Sequence, residues 1–304
     1  MKIDINEYVA SLPQEGIVGK NILTGFDKSG SRTYLVKNSS ASTRIKAFGN
    51  DYFTLKNNVV LYAGDKEVGN FHVLICNKQD DGSILHFDRV CDYLFAKNNL
   101  PLSADEMLGL FNSLQTIFST KGSIDSAAEI GFYGELATIL FLYKNKIGNL
   151  YKNWHSELFS NHDMEINNRV KLDIKSTVKE KREHRIQHNQ IYRKNLEVYI
   201  ISCLLTSCEK GISLYQLCLE VQKILNNSDQ IIAIETMMKK LNLSESYQGL
   251  NCVLEDVFES IRLYPAKDVP HLKCGDIPGV TKISYDSDLS QAPNMEFNNL
   301  LKHI

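Results

Sequence analysis

Segment 161–177, NHDMEINNRVKLDIKST, holds the residue types and spacings best suited to chemistry. In an extended strand, side chains i and i+2 share a face. Asp173 and Lys175 therefore point together, while Leu172 and Ile174 face an opposite, apolar layer. Asp163 lies ten residues before Asp173, across an Asn167-Asn168 turn, and a hairpin brings it back within reach. Two carboxylates at one point raise each other's pKa unless positive charge sits between them. A divalent cation removes that penalty, and Mg²⁺ takes oxygen ligands from one or two carboxylates while keeping several waters. A lysine beside it can orient or deprotonate a water, and the ion stabilises charge on a scissile phosphate. These parts suffice for phosphodiester hydrolysis. A lone Asp-x-Lys triplet is also a common surface ion pair contributing ~0–1 kcal/mol, so the weight falls on the elements around it.

Residues 17 to about 90 read mostly as β. The apolar runs Thr33–Val36, Val59–Ala63 and Phe71–Cys76 are punctuated by turn clusters such as DKSGS and AGDKEVG. From about residue 88 the pattern turns helical. Ser103-Ala-Asp-Glu106 is a capping box before the periodic run Met107–Phe118. Gly122 breaks that run, and a longer helix is expected over 123–146. Leu196–Thr206 reads as a buried central strand, Ile212–Leu225 and Ile231–Leu241 as helices, and Val257–Tyr264 and Thr281–Tyr285 as late strands. The order helix, hairpin, strand, helix is that of an α/β core. A β-rich domain over 1–100, which would dock a partner or the substrate, and a domain over 101–304 that carries segment 161–177 are the expected division.

The composition is that of a soluble globular chain, with 43% hydrophobic and 23% charged residues. A formal net charge of -2 excludes a globally basic wrapper of nucleic acid, so any such contact must be local. The seven cysteines are scattered without a CxxC, and most sit in apolar runs, which reads as buried thiols of a reducing cytoplasm. The opening MKIDINEYVASLPQEG has neither a basic n-region nor an apolar h-region, and no apolar run approaches the ~20 residues of a membrane span. A cytoplasmic location away from membranes is expected.

The series of a helix carrying Gly131-Phe-Tyr-Gly-Glu135-Leu, then Asp163, then Leu172-Asp-Ile-Lys-Ser-Thr177, then a buried strand and helix, resembles the PD-(D/E)XK nuclease core. More closely, the chain resembles a bacterial family of PD-(D/E)XK motif proteins. The Arg/His/Gln-rich stretch from His184 to Gln190 and the C-terminal Pro270-His-Leu and Gly279-Val-Thr-Lys-Ile-Ser-Tyr also fit it. The resemblance implies a restriction-endonuclease-like fold, a mixed central sheet flanked by helices. It implies Glu135, Asp163 and Asp173 around Mg²⁺ or Mn²⁺, with the Ile174 carbonyl as a further ligand. Lys175 would position or activate water, and Gln190 would contact the site or the nucleic-acid backbone. His162 stands where the motif's name has proline, and Asp173 replaces the commoner glutamate. Glu165 remains an alternative to Asp163, and Glu129 to Glu135. Glu135 is preferred because Gly134 allows close approach to a strand, a ligand or another helix.

Residues 169–194 hold nine Lys/Arg against three acids, a local excess of six positive charges. Lys179, Arg182, His184, Arg185 and Arg193 are the expected contacts to a phosphate backbone. A solvated loop is the plainer reading of the same strip. The expected function is hydrolysis of DNA, leaving 5′-phosphate and 3′-hydroxyl ends. The resemblance implies a setting in bacterial defence, companion ATPase or helicase proteins, and possible homodimers. The alternative is a non-catalytic nucleic-acid-binding or scaffold subunit on the same fold.

Overall fold

The computed structural model describes residues 2–10, 20–39, 46–96, 101–119, 126–155, 162–191, 195–272, 280 and 283–302. The chain divides into two compact units, Met1–Lys121 and Gly122–Ile304. It is a mixed α/β protein. No described helix is long and apolar enough to cross a membrane.

The first unit is built on one sheet. Its strands are β1 (Ile3–Asp4), β2 (Ile22–Phe26), β3 (Arg32–Lys37), β4 (Lys46–Gly49), β5 (Phe53–Ala63) and β6 (Lys66–Cys76), in the order β1-β5-β6-β3-β2 with β4 also on β5. The DKSGS cluster is the β2–β3 turn: Asp27 Oδ1 accepts from the Ser29 and Ser31 amides, and Gly30 takes φ +81°. One sheet face buries Ile5, Val9, Leu23, Leu35, Leu61 and Phe71. Aromatic rings join the sheet to helices α1 (Asp81–Ala96) and α2 (Ala104–Ser119): Phe53 lies 4.5 Å edge-on from Phe118 and 5.4 Å from Phe87. The helical region begins at Asp81, ahead of the expected residue 88, because Asp80 Oδ1 accepts the Ser83 amide and caps it. The capping box forms, with Ser103 N–H on Glu106 Oε2 and Glu106 N–H on Ser103 Oγ.

In the second unit, helix α3 (Ser126–Lys144) is apolar on nearly every side and packs on a four-stranded sheet. That sheet runs β7 (Met164–Glu165), β8 (Val170–Thr177), β10 (Glu197–Leu204), β13 (Arg262–Pro265). β8 and β10 are parallel; β7 and β13 are antiparallel to their neighbours. A hairpin-like pair, β9 (Glu183–Gln187) with β14 (Ser284–Asp288), brings Ile186 and Leu289 against Ile200, Tyr264 and Val269. Around these lie β11 (Ser207–Ser213), β12 (Asn251–Cys252) and helices α4 (His188–Ile191), α5 (Leu214–Ile224), α6 (Ser228–Lys240), α7 (Leu254–Ser260) and α8 (Phe297–Leu300).

Three further expectations change. The supposed late strand Val257–Tyr264 is helical up to Ser260, because Leu254, Val257, Phe258 and Ile261 repeat at helical spacing; only Arg262–Pro265 is strand. Ile212 belongs to β11, and its helix starts at Leu214 under a Ser213–Gln216 capping box. Part of the basic strip is not loop but strand β9 and the helical turn α4. Of the described cysteines, five are buried, Cys208 is half-buried, and all are free thiols.

Candidate metal centre

The Asn167 side chain makes the turn before β8, accepting from the Arg169 and Val170 amides at 2.8 and 2.9 Å. That turn fixes which side chains of β8 share a face. Leu172 and Ile174 are buried, and Ser176 Oγ donates to the Ile130 carbonyl of α3 at 2.8 Å. Gly134 lies directly over Ser176: a Cβ at 134 would sit 2.4 Å from Ser176 Cβ. The close approach that glycine allows is therefore to a strand.

Asp173 and Lys175 point to the opposite face, level with Ile200 and Ser202 of β10. Asp173 is 1% exposed. Its Oδ1 lies 3.3 Å from His162 Nδ1 and its Oδ2 3.3 Å from Lys175 Nζ. Asp163 approaches from the edge of β8, where Oδ2 accepts the Ile174 amide at 2.6 Å. The amides of Glu197 and Leu205 pair with the carbonyls of Arg169 and Thr177, so odd-numbered residues of β8 bond toward β10. Ile174 consequently turns both its N–H and its carbonyl to the outer edge of β8, the edge at which Asp163 takes the N–H.

Glu135 and His155 complete the group. Ligand atoms of Glu135, His155 and Asp163 all lie within 4.8 Å of one another. Glu135 Oε2 accepts from Trp154 Nε1 at 3.0 Å and lies 3.4 Å from His155 Nε2. His155 has φ +40°, an unusual backbone for a bulky residue, and its amide donates to the Asp163 carbonyl at 3.0 Å. The segment before it is clasped by buried Gln230 of α6, whose Nε2 donates to the Lys152 and Trp154 carbonyls. Two carboxylates and an imidazole within one ion's reach, beside a backbone carbonyl, are a donor set that fits a divalent metal.

The electrostatics agree. Burial, then the charges of Glu135 and Asp173, push the Asp163 carboxyl up to about 8. Burial opposes ionisation of Asp173 too, but the His162 hydrogen bond and the Lys175 charge outweigh it and hold that group below the usual carboxylate range. Burial would lower Lys175, yet Asp173 and Asp163 keep it raised, as a firm ammonium. For His155, burial is outweighed by its Glu135 partner, and its pKa is raised.

Asp163 therefore sets a pH dependence. Its folded pKa is raised above the ordinary 3.8, so its contribution to stability is fully present below about pH 4 and declines as pH rises toward 8. Asp173 acts in the other direction, losing its contribution only as pH falls through its depressed value. Urea unfolding in EDTA is expected to show a loss on the order of 2 kcal/mol between pH 5 and pH 8. Asp163→Asn should flatten that slope. A slope unchanged in the variant would rule Asp163 out as its source.

Glu165 does not join the group; it pairs with Lys171 across β7 and β8. Glu129 is fixed elsewhere, its Oε1 accepting the Leu250 amide at 2.7 Å. The expected phosphate contacts are largely spoken for within the protein. His184 is 3% exposed, bonds Ser202 Oγ at 2.7 Å, and burial lowers its pKa to about 4, so it is an interior residue and not a surface cation. The Arg182 guanidinium donates to Ser202 and to the Ser260 carbonyl, which corrects the surface role expected of it. Lys179 and Arg185 are exposed but face Glu183 and Asp286. Arg193 lies outside the described residues. The backbone of Gln190 is in α4, and its side chain lies outside the described residues.

Reading the sequence missed His155 and the use of His162 to hold Asp173. His155 carried one faint signal, its place beside the lone tryptophan just before the hairpin. A family model with the description "Putative PD-(D/E)XK family member, (DUF4420)" matches residues 11–290. No curated protein and no solved structure matches the chain.

Proposed function

The chain belongs to the DUF4420 family of PD-(D/E)XK proteins, and on that premise we propose that it is a metal-dependent nuclease that hydrolyses phosphodiester bonds of DNA. The observation that carries this reading is the convergence of Glu135, His155 and Asp163 at the open edge of β8, next to Asp173 and Lys175. Glu135, Asp163 and the Ile174 carbonyl would hold Mg²⁺ or Mn²⁺. When bound, such an ion supplies positive charge at the scissile phosphate and acidifies water. Lys175, an ammonium anchored on Asp173, would bring a second positive charge to the phosphate and orient the attacking water. His162 keeps the Asp173 carboxylate aimed at Lys175. With water as nucleophile, the phosphorus–O3′ bond breaks to leave 3′-hydroxyl and 5′-phosphate ends.

A role in bacterial defence, as a homodimer and alongside companion ATPase or helicase proteins, is the setting we propose for this activity. The test is cleavage of supercoiled plasmid and single-stranded DNA with Mg²⁺, Mn²⁺ or EDTA. Wild type should cut only with metal, and Asp173→Ala and Lys175→Ala should each lose the activity. A wild-type chain that neither cuts nor binds metal would leave the scaffold reading in its place.

A further inference from the structure

Glu135 and Asp163 are the oxygen donors expected of a nuclease centre, but the third group within reach is an imidazole. Asp173 is turned toward His162 and Lys175. His155 instead stands at the cluster, with its Nε2 3.4 Å from Glu135 Oε2. The side chains of Glu135 and His155 are 21% and 31% exposed, so an ion from solvent can reach both. The placement of His155 is built in. Its backbone is held in the left-handed region by its own amide bond to Asp163 and by the Gln230 clasp on the residue before it. A bulky residue keeps that conformation only where its surroundings enforce it.

Mg²⁺ demands near-ideal octahedral oxygen coordination and gives up water reluctantly, whereas imidazole suits first-row transition ions. We propose that His155 is a nitrogen ligand of this centre, and that the centre selects a first-row divalent ion such as Mn²⁺ over Mg²⁺. This rests on the metal-dependent reading above and adds to it the ligand and the class of ion. Its logic makes the chain's dependence on His155 specific: His155→Asp restores an all-oxygen set and moves the preference back toward Mg²⁺, while His155→Gln only weakens binding.

The experiment is pulsed electron paramagnetic resonance on the full chain loaded with Mn²⁺, comparing ¹⁴N protein with protein labelled with ¹⁵N-histidine. The expected result is a directly bound histidine nitrogen coupling that changes with the label and disappears in His155→Gln. Isothermal titration should show Mn²⁺ binding about tenfold or more tighter than Mg²⁺, a gap that narrows in His155→Asp. The isotope comparison needs no variant, so a poorly folded mutant does not blunt it. Mn²⁺ bound tightly and lost in Asp163→Asn, but with no histidine coupling, would overturn this inference and leave the nuclease reading standing. Coupling that persists in His155→Gln would overturn it equally. No divalent binding at all would overturn both.

Discussion

Asp163→Asn should give a protein that is dead as a nuclease and sturdier as a fold. Asparagine keeps an oxygen that can accept the Ile174 amide, now accepted by Asp163 Oδ2 at 2.6 Å, so the edge of β8 has no reason to shift. It removes the carboxylate that burial, Glu135 and Asp173 make hardest to ionise. Metal-free stability at pH 7 should therefore rise by about 1–3 kcal/mol. Activity should fall by roughly a thousandfold or more, since an ion at a scissile phosphate supplies several kcal/mol and each ~1.4 kcal/mol is tenfold in rate. Thermal melts with and without Mn²⁺ join the two effects. Wild type gains stability from the ion through binding to the folded state alone, and the variant should gain none. A variant that cuts DNA within tenfold of wild type would remove Asp163 from the centre.

Gly134→Ala is the second large effect, and it acts at a distance from any ligand atom. The new Cβ would meet Ser176 Cβ at 2.4 Å and Oγ at 2.5 Å, so either α3 or β8 must give way. Overpacking of this kind costs about 1–3 kcal/mol, while alanine in place of glycine returns up to ~1 kcal/mol of helix propensity. The larger consequence is positional. Glu135 is the next residue on α3, and a displacement near 1 Å in a catalytic group can cost ~10²-fold in rate. Ser176→Gly removes both clashing atoms. The double variant should recover cleavage toward wild type although Ser176→Gly alone loses the bond from Ser176 Oγ to the Ile130 carbonyl. Such recovery is a favourable coupling in a double-mutant cycle. Equal activity in wild type and Gly134→Ala would show that the helix does not position Glu135 through this contact.

How far the residues alone carried the reading depends on whether the cause was local. Period-two alternation placed Asp173 and Lys175 together, and the Asn167 turn returned Asp163 to them, because both rules act within a few residues. The capping box at Ser103 and the close packing at Gly134 were legible for the same reason. His155 was not. Its role depends on a left-handed residue, on Gln230 from a helix far along the chain, and on Glu135 from an earlier one. The charge excess over 169–194 misled by omission. Three of its cations have partners outside the segment counted: Glu165 for Lys171, Glu197 for Arg169, Asp286 for Arg185. A cation excess along the chain is not a cation excess in space. The segment Val257–Ser260 shows the limit of short apolar runs, where strand and helix periods fit equally until flanking residues such as Leu254 are included.

The shortness of β7 has a meaning apart from chemistry. It pairs with β8 only at Leu172 and Lys171, so beyond Leu172 the outer edge of β8 has no ladder partner among the described residues. An unpaired edge of this kind invites a strand from another molecule, and proteins commonly deter it by setting a charge there. Here the edge amide of Ile174 is taken by Asp163, a carboxylate with Glu135 close by. An incoming strand would have to displace an acidic group and bury its charge to add on. The same two side chains proposed to hold an ion would thus also guard the chain against self-association through this sheet, and in the apo protein the charge on Asp163 joins that guard fully only above about pH 8, where the group ionises.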